Sequence, residues 1–149
     1  MALDCLKSSE TAYHEALKVY TQKDMPAAWA MTQNNLGNVL SNMGERADGK
    51  AALDYLKSSE NAFREALKVR TQKDMPAAWA ATQNNLGNVL RNLGERADGK
   101  VALDYLTKSI KSFELSLEVY GKPGMEFYAK GVSRNLALAQ ALLANKCGK

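Results

Sequence analysis

The amino-acid sequence predicts an all-α protein, an α-α superhelix (solenoid) of about six helices that stack as antiparallel hairpins. Three observations support this fold class. The chain repeats itself every 50 residues, each half of a repeat carries apolar residues at helical spacing, and no segment alternates polar and apolar residues as a half-buried strand does. Because a hairpin with one apolar stripe per helix cannot cover its own core, neighbouring hairpins are expected to stack.

The internal repeat is very close between its first two copies. Residues 1–50 align with residues 51–100 without a gap and with nine differences. A diverged third copy follows, in which VALDYL at 101–106 corresponds to AALDYL at 51–56 and Met125 corresponds to Met75. We therefore predict a single repeat domain over residues 1–149, with copies at 1–50, 51–100 and 101–149. In this scheme the chain begins in the middle of a repeat.

Each copy contains two segments with helical periodicity. In residues 49–71 the apolar side chains Leu53, Leu56 and Phe63 lie on one face of a 3.6-residue period. In residues 75–96 the same holds for Trp79 and Leu86 and for the leucines that follow them. Applied to all copies, this pattern predicts helices near 2–21, 26–45, 49–71, 76–95, 99–121 and 125–146.

Helix ends and two recurring aromatic positions complete this prediction. Asp48 and Asp74 are expected to cap the helices that follow them, and Gly94 lies where the apolar pattern of its helix stops. Trp29 and Trp79 share a position that we expect to pack between hairpins. A position near a helix end holds Tyr20, Arg70 and Tyr120, and we expect it to be half-exposed.

The residues of these two helix types resemble a known family. The run Asn84-Asn85-Leu86-Gly87-Asn88-Val89-Leu90 resembles the first helix of a tetratricopeptide repeat, and Ala62-Phe63-Arg64-Glu65-Ala66-Leu67 resembles the second. Small residues at the glycine and alanine positions let two helices approach closely. The period of 50 residues exceeds the usual value of about 34, so the chain is more similar to long-helix relatives such as kinesin-light-chain-type arrays.

The asparagines are unusual for helix interiors and need an explanation, since Asn costs about 0.5 kcal/mol relative to Ala there. Asn34 and Asn38, with Asn84 and Asn88, recur at a spacing of four on one helix face. The resemblance implies that this face lines a concave groove, where amides can pair with the backbone of an extended peptide. The predicted groove residues are Met31, Asn34, Asn38, Ser41, Ala81, Asn84, Asn88, Arg91 and Arg134. The alternative is that asparagines such as Asn35 and Asn85 bond adjacent helices together.

The groove does not carry the residues of a carboxylate clamp. In chaperone-binding members of the family, Lys, Asn and Arg on successive repeats hold a C-terminal carboxylate. Asn38 and Asn85 match the family's asparagines, but Asn34, Gly131 and Asn135 stand where the basic residues would be. We therefore do not expect the groove to act as a dicarboxylate clamp.

Composition and single residues do not indicate a catalytic or metal site. The net charge of +4 is spread along the chain, whereas nucleic-acid binding usually needs a clustered basic face. His14 is the only histidine, and Cys5 and Cys147 lie too far apart in sequence to suggest a zinc site. We expect no catalytic residues, no metal, no cofactor, no nucleic-acid partner and no membrane contact, and we expect free thiols and a cytoplasmic location.

The sequence therefore predicts a protein-protein interaction scaffold, not an enzyme, that binds a peptide or partner protein. The alternative is a self-associating structural repeat, a homo-oligomer or domain-swapped assembly without a peptide ligand, because nearly identical copies can pair out of register. The final helix also carries more Leu and Ala than a terminal cap would need, which suggests that another surface covers it.

Overall fold

A computed structural model describes residues 3–148, which form six α-helices and no strand. The helices are α1 (Leu3–Val19), α2 (Pro26–Arg46), α3 (Gly49–Ala66), α4 (Pro76–Arg96), α5 (Gly99–Tyr120) and α6 (Glu126–Cys147). The predicted all-α helical-repeat fold is confirmed. The helix ends lie within two residues of the predicted ones except in α3, which ends at Ala66 instead of residue 71.

The chain divides into two compact units. The N-terminal unit, Met1–Thr71, contains α1, α2 and α3, and the C-terminal unit, Gln72–Lys149, contains α4, α5 and α6. In the N-terminal unit α2 packs against both α1 and α3. In the C-terminal unit α5 packs against both α4 and α6, and α4 also contacts α6. The boundary falls inside the second sequence copy, so the compact units do not coincide with the copies of the repeat.

Each unit contains one tightly closed hairpin, in which an aromatic ring lies directly against a glycine. A Cβ added to Gly37 of α2 would lie 2.6 Å from Cε1 of Phe63, and one added to Gly87 of α4 would lie 2.6 Å from Cε1 of Phe113. Both phenylalanine side chains are almost completely buried. Glycine is therefore required at both positions by the close approach of the helices.

Buried serines link the same two helices through the glycine backbone. Ser59 Oγ donates a hydrogen bond to the carbonyl oxygen of Gly37 over 2.6 Å, and Ser109 Oγ donates one to Gly87 over 2.7 Å. In the C-terminal unit Ser116 Oγ also donates to the carbonyl oxygen of Ala80 over 2.8 Å. These bonds satisfy hydroxyl groups that would otherwise be costly to bury.

Gly94, where the apolar pattern stops, has a packing role. It lies near the end of α4, is buried, and receives the side chain of Leu106 from α5, just as Gly44 of α2 receives Leu56. The glycine that starts the next helix is different, since Gly99 has φ +59°, a left-handed conformation that other residues avoid. Gly94 is thus favoured by the close approach of two helices, whereas Gly99 is favoured by its backbone conformation.

Of the two predicted N-cap residues, Asp48 occupies the N-cap position of its helix and Asp74 does not. Asp48 occupies the N-cap position of α3, but its side chain makes no capping hydrogen bond. The N-cap position of α4 is Met75 instead of Asp74, because Pro76 is already the first residue of the helix. Proline suits that place since its missing N–H would have had no helical partner.

The remaining helix of each unit packs on the closed hairpin. In the N-terminal unit Leu6 of α1 is 1% exposed and lies in a core with Leu36, Leu40, Met43 and Ala62. In the C-terminal unit α6 buries Val132 and Ala139. Lys146 Nζ also donates to the carbonyl oxygens of Glu95 and Ala97, at the end of α4, over 3.1 and 2.7 Å. A cation at a helix C-terminus offsets its negative partial charge.

The two recurring aromatic positions differ in how deeply their side chains are buried. Trp29 and Trp79 are buried, with 8% and 9% exposure. Tyr20 and Arg70 are half-buried as expected. Tyr120, at the same position, is instead 7% exposed and stacks on Tyr128 of α6 with ring centroids 5.1 Å apart. The expectation was wrong for Tyr120 because α6 covers it.

Replacing Gly87 by Ala should destabilise the protein by about 1–3 kcal/mol, because the buried ring of Phe113 has little room to move away from the new methyl group. The matched control is Gly131→Ala in α6, where nothing lies within 4 Å of an added Cβ. The control should stabilise the protein by up to about 1 kcal/mol through its higher helix propensity. Urea denaturation of both variants measures the difference, and equal effects would contradict the close-approach argument.

Tyr120 should make stability fall at high pH. Burial, and then the proximity of Tyr128, raises the pKa of Tyr120 above its usual value. Its stabilising contribution is present below the unfolded-state pKa of about 10 and is lost as the pH rises through the higher folded-state pKa. Denaturation midpoints measured at increasing pH should therefore fall less steeply in Tyr120→Phe. Identical slopes in the two proteins would contradict this assignment.

Candidate functional site

The predicted groove residues of α2 differ in accessibility. Met31 is 49% exposed, Asn38 is exposed and Ser41 is half-buried. Asn34 is only 8% exposed. Within the N-terminal unit, Met31, Asn38 and Ser41 are therefore the members of this face that a ligand could contact directly.

The corresponding face of α4 is more enclosed. Ala81, Asn84, Asn88 and Arg91 are all half-buried, and Arg134 of α6 is exposed. Asn135 Nδ2 donates a hydrogen bond to Asn84 Oδ1 over 3.2 Å, which joins α6 to α4. The side chain of Asn84 thus has an interhelical partner, the role that sequence analysis left open for the neighbouring asparagines.

Asn88 has unused hydrogen-bonding capacity. Its Oδ1 is buried and has no hydrogen-bond partner among residues 3–148. A buried acceptor without a partner costs about 1–3 kcal/mol. A half-turn of the amide about χ2 exchanges Oδ1 and Nδ2, so Asn88 can present either an acceptor or a donor. Because this oxygen is buried, a ligand could use that capacity only after the amide turns outward.

Sequence analysis missed the contribution of α1 to the surface around Asn38. A cleft of about 240 Å³ lies between α1 and α2. Its lining consists of Leu6, Ser9, Tyr13, Asn35, Asn38, Val39 and Asn42. The signal was available, since Leu6, Ser9 and Tyr13 occupy the repeat positions of Leu56, Ser59 and Phe63, which close the α2–α3 hairpin.

A second cleft of about 570 Å³ lies in the N-terminal unit and has an apolar floor that includes Leu36 and Leu40 of α2. Residues of α1 and α3 form its rim, among them Glu10, His14 and Lys57. The His14 side chain is 56% exposed, and its Nε2 lies 3.7 Å from a carboxylate oxygen of Glu10. A lone exposed imidazole beside one carboxylate does not form a catalytic constellation.

Other chemistry-bearing residues do not converge on a site. Residues 3–148 contain no group of three or more His, Cys, Asp or Glu side chains placed to hold a metal ion. Cys5 and Cys147 are both free and exposed. In the described part of the chain, none of the helices combines the length and the apolar character needed to cross a membrane.

The final helix has a partly apolar outer surface, as sequence analysis noted. Phe127 is 85% exposed, Tyr128 54% and Leu138 48%. The face equivalent to the glycine face of α4 is polar at two places, however. Lys130 and Gln140, both exposed, replace the buried Ala80 and Leu90.

Comparison with known families identifies residues 79–106 as a tetratricopeptide repeat. The segment runs from Trp79 in α4 to Leu106 in α5, so it contains the glycine contacts of that hairpin. Residues 29–56 differ from this segment at four positions. No curated protein and no solved structure matches the chain. The similarity to kinesin-light-chain-type arrays stays a prediction.

Proposed function

Because the chain carries a repeat of the tetratricopeptide family at residues 79–106, we propose that it is a protein-interaction scaffold that binds an extended segment of a partner. Repeats of this family generally mediate protein-protein interaction and are scaffolds without enzymatic activity. Two observations support the finer proposal, one in each unit: the exposed amide of Asn38 on α2, and the half-buried Asn88 on α4, whose Oδ1 has no partner among residues 3–148.

The chemistry of these faces suits a peptide backbone. Each amide offers both a donor and an acceptor, as each peptide group does. Asn38 and Asn88 therefore match the backbone of an extended segment without selecting strongly for its side chains. Asn84 contributes indirectly, because its bond to Asn135 fixes α6 beside α4.

Side chains beside the amides would supply the selectivity. Met31 of α2 is exposed and offers a flexible apolar contact. Arg91 and Arg134, on α4 and α6, add positive charge to the C-terminal unit. We therefore propose that a segment bound at α4 carries an acidic residue, since a guanidinium binds carboxylates well.

The alternative function, self-association, is favoured by the exposed Phe127, Tyr128 and Leu138 of α6. Apolar side chains of this size on one helix can form an interface between copies of a chain. Against it stand Lys130 and Gln140, which make the neighbouring face of α6 polar. The peptide-binding proposal therefore remains the leading one.

Changing Asn38 and Asn88 together to Ala should abolish selection of peptides from a displayed library of free C-termini and internal segments. Losing an amide contact at about 1 kcal/mol should weaken the best wild-type peptide about fivefold. Titration of that peptide into both proteins measures the change. Asn34 and Asn84 are left unchanged, because one is buried and the other joins two helices.

The matched control is Asn61→Ala, since Asn61 is an exposed asparagine on α3 and lies on neither amide face. The control should bind the peptide as the wild type does. A library that yields no enriched peptide would contradict the proposal. So would a double variant that binds as tightly as the control.

The full chain should sediment as a monomer over a wide range of concentrations. The physical reason is that Lys130 and Gln140 would lose hydration in a contact between copies without gaining defined partners. A mass that rises with concentration, and returns to that of the monomer in Phe127→Ser with Leu138→Ser, would instead support self-association. The same double change leaves the amides of α2 and α4 in place.

A further inference from the structure

The cleft between α1 and α2 has a counterpart elsewhere in the chain that is filled. Residues of α1 and α2 correspond, at a spacing of 100, to residues of α5 and α6. In the C-terminal unit α4 packs against both α5 and α6. The protein therefore shows, in its own C-terminal unit, which kind of element lies against this pair of helices.

The α1 side of the cleft repeats the surface on which α4 rests. In α5 the side chains of Leu106 and Phe113 lie against Gly94 and Gly87 of α4, and Ser109 Oγ donates to the carbonyl oxygen of Gly87. The residues at the same positions of α1 are Leu6, Tyr13 and Ser9, and all three line the cleft. Ser9 and Tyr13 are half-buried, whereas Ser109 and Phe113 are fully buried.

The α2 side of the cleft repeats the second contact. Asn135 of α6 donates to the amide oxygen of Asn84 on α4. Asn35 is the equivalent residue of α2, and it also lines the cleft. Two independent surfaces, one on each wall, thus carry the residues that hold α4 in the C-terminal unit.

We propose that the α1–α2 cleft is a docking site for a single helix of a partner protein. That helix carries glycine opposite Tyr13 and asparagine three residues before that glycine, whereas Leu6 is already covered by the core of the N-terminal unit. The spacing is that of Asn84 and Gly87 in α4. A methyl group in place of the glycine would collide with the aromatic ring, as it would at Gly87.

The occupant is a partner helix and not a helix from a second copy of this chain. The helices with this pattern, α2 and α4, already have their glycine faces covered by α3 and α5. The uncovered helix, α6, has Ala137 and Ala144 at the glycine positions and Arg134 at the asparagine position. Its own face therefore lacks both the glycine and the asparagine that the cleft requires.

The test uses the full chain and a fluorescein-labelled synthetic peptide of residues 76–96, the sequence of α4. Fluorescence anisotropy should show saturable binding with one peptide per chain. Ser9→Arg should weaken this binding about tenfold or more, because a long side chain would fill the cleft. A labelled peptide of residues 126–147, the sequence of α6, should not bind.

The matched control is Ser8→Arg, on the neighbouring exposed position of α1. Both hydroxyls donate to a carbonyl oxygen four residues back, Ser8 to Asp4 over 3.1 Å and Ser9 to Cys5 over 3.0 Å. The two substitutions therefore cost α1 the same local bond. Ser8→Arg should leave the affinity for the peptide within about twofold of the wild type, which is less than 0.5 kcal/mol.

A change in the peptide tests the close approach itself. The Gly87→Ala peptide should bind about tenfold more weakly, although alanine raises its helicity. Equal binding by the two peptides would overturn the proposal. So would the absence of saturable binding, or an effect shared by Ser8→Arg and Ser9→Arg.

Two other occupants would be recognised by the same set of variants. A peptide that replaces α4 in the C-terminal unit would bind Ser9→Arg as tightly as the wild type, which overturns the assignment to the cleft. The chain could also associate with itself in the absence of peptide and lose this association in Ser9→Arg. That result would assign the cleft to a second copy and overturn the proposal of a partner helix. Asn38 lines the cleft as well as the amide face of α2, but neither result depends on Asn88 or Arg134, so the amide face of α4 is tested separately.

Discussion

The structure depends on the close approach of paired helices at glycine. Gly37 and Gly87 have no side chain, and the rings of Phe63 and Phe113 occupy the space where one would lie. The same approach brings a serine hydroxyl within hydrogen-bonding distance of each glycine carbonyl. Since protein interiors are packed as densely as crystals, such a contact sets the spacing of the two helices closely. The register of each hairpin, and with it the direction of every other side chain on both helices, follows from this contact.

The end helices show what happens where the glycine contact is incomplete. Tyr13 and Ser9 of α1 have the positions of a hairpin-closing face, but they are only half-buried, and a cleft remains beside them. In α6 alanines replace both glycines, and Lys130 and Gln140 replace buried apolar residues. The two ends of the repeat therefore differ. The α1 surface has residues equivalent to those of α5 that pack against α4. Helix α6, in contrast, lacks the glycines with which α4 packs against α5.

The asparagines on this helix face have two different roles. Asn84 accepts a hydrogen bond from Asn135 and holds α6 against α4. Asn38 is exposed, and Asn88 keeps an acceptor without a partner in the described chain. A polar residue that costs helix stability is retained most readily where its amide is used. Part of that use is structural in this protein, and we assign the rest to partner binding.

The sequence by itself determined the helix count, nearly all helix ends, the repeat and the face on which the asparagines lie, because these depend on local periodicity and on identity between copies. It did not reveal that Gly94 is packed against Leu106, that Tyr120 is covered by α6, or that α1 forms one wall of a cleft next to Asn38. Nor did it show that Asn34 is buried while Asn38 is exposed. Periodicity assigns a residue to a face of its own helix. Which neighbouring helix covers that face was decided only by the tertiary packing, since burial depends on contacts between segments far apart in the chain.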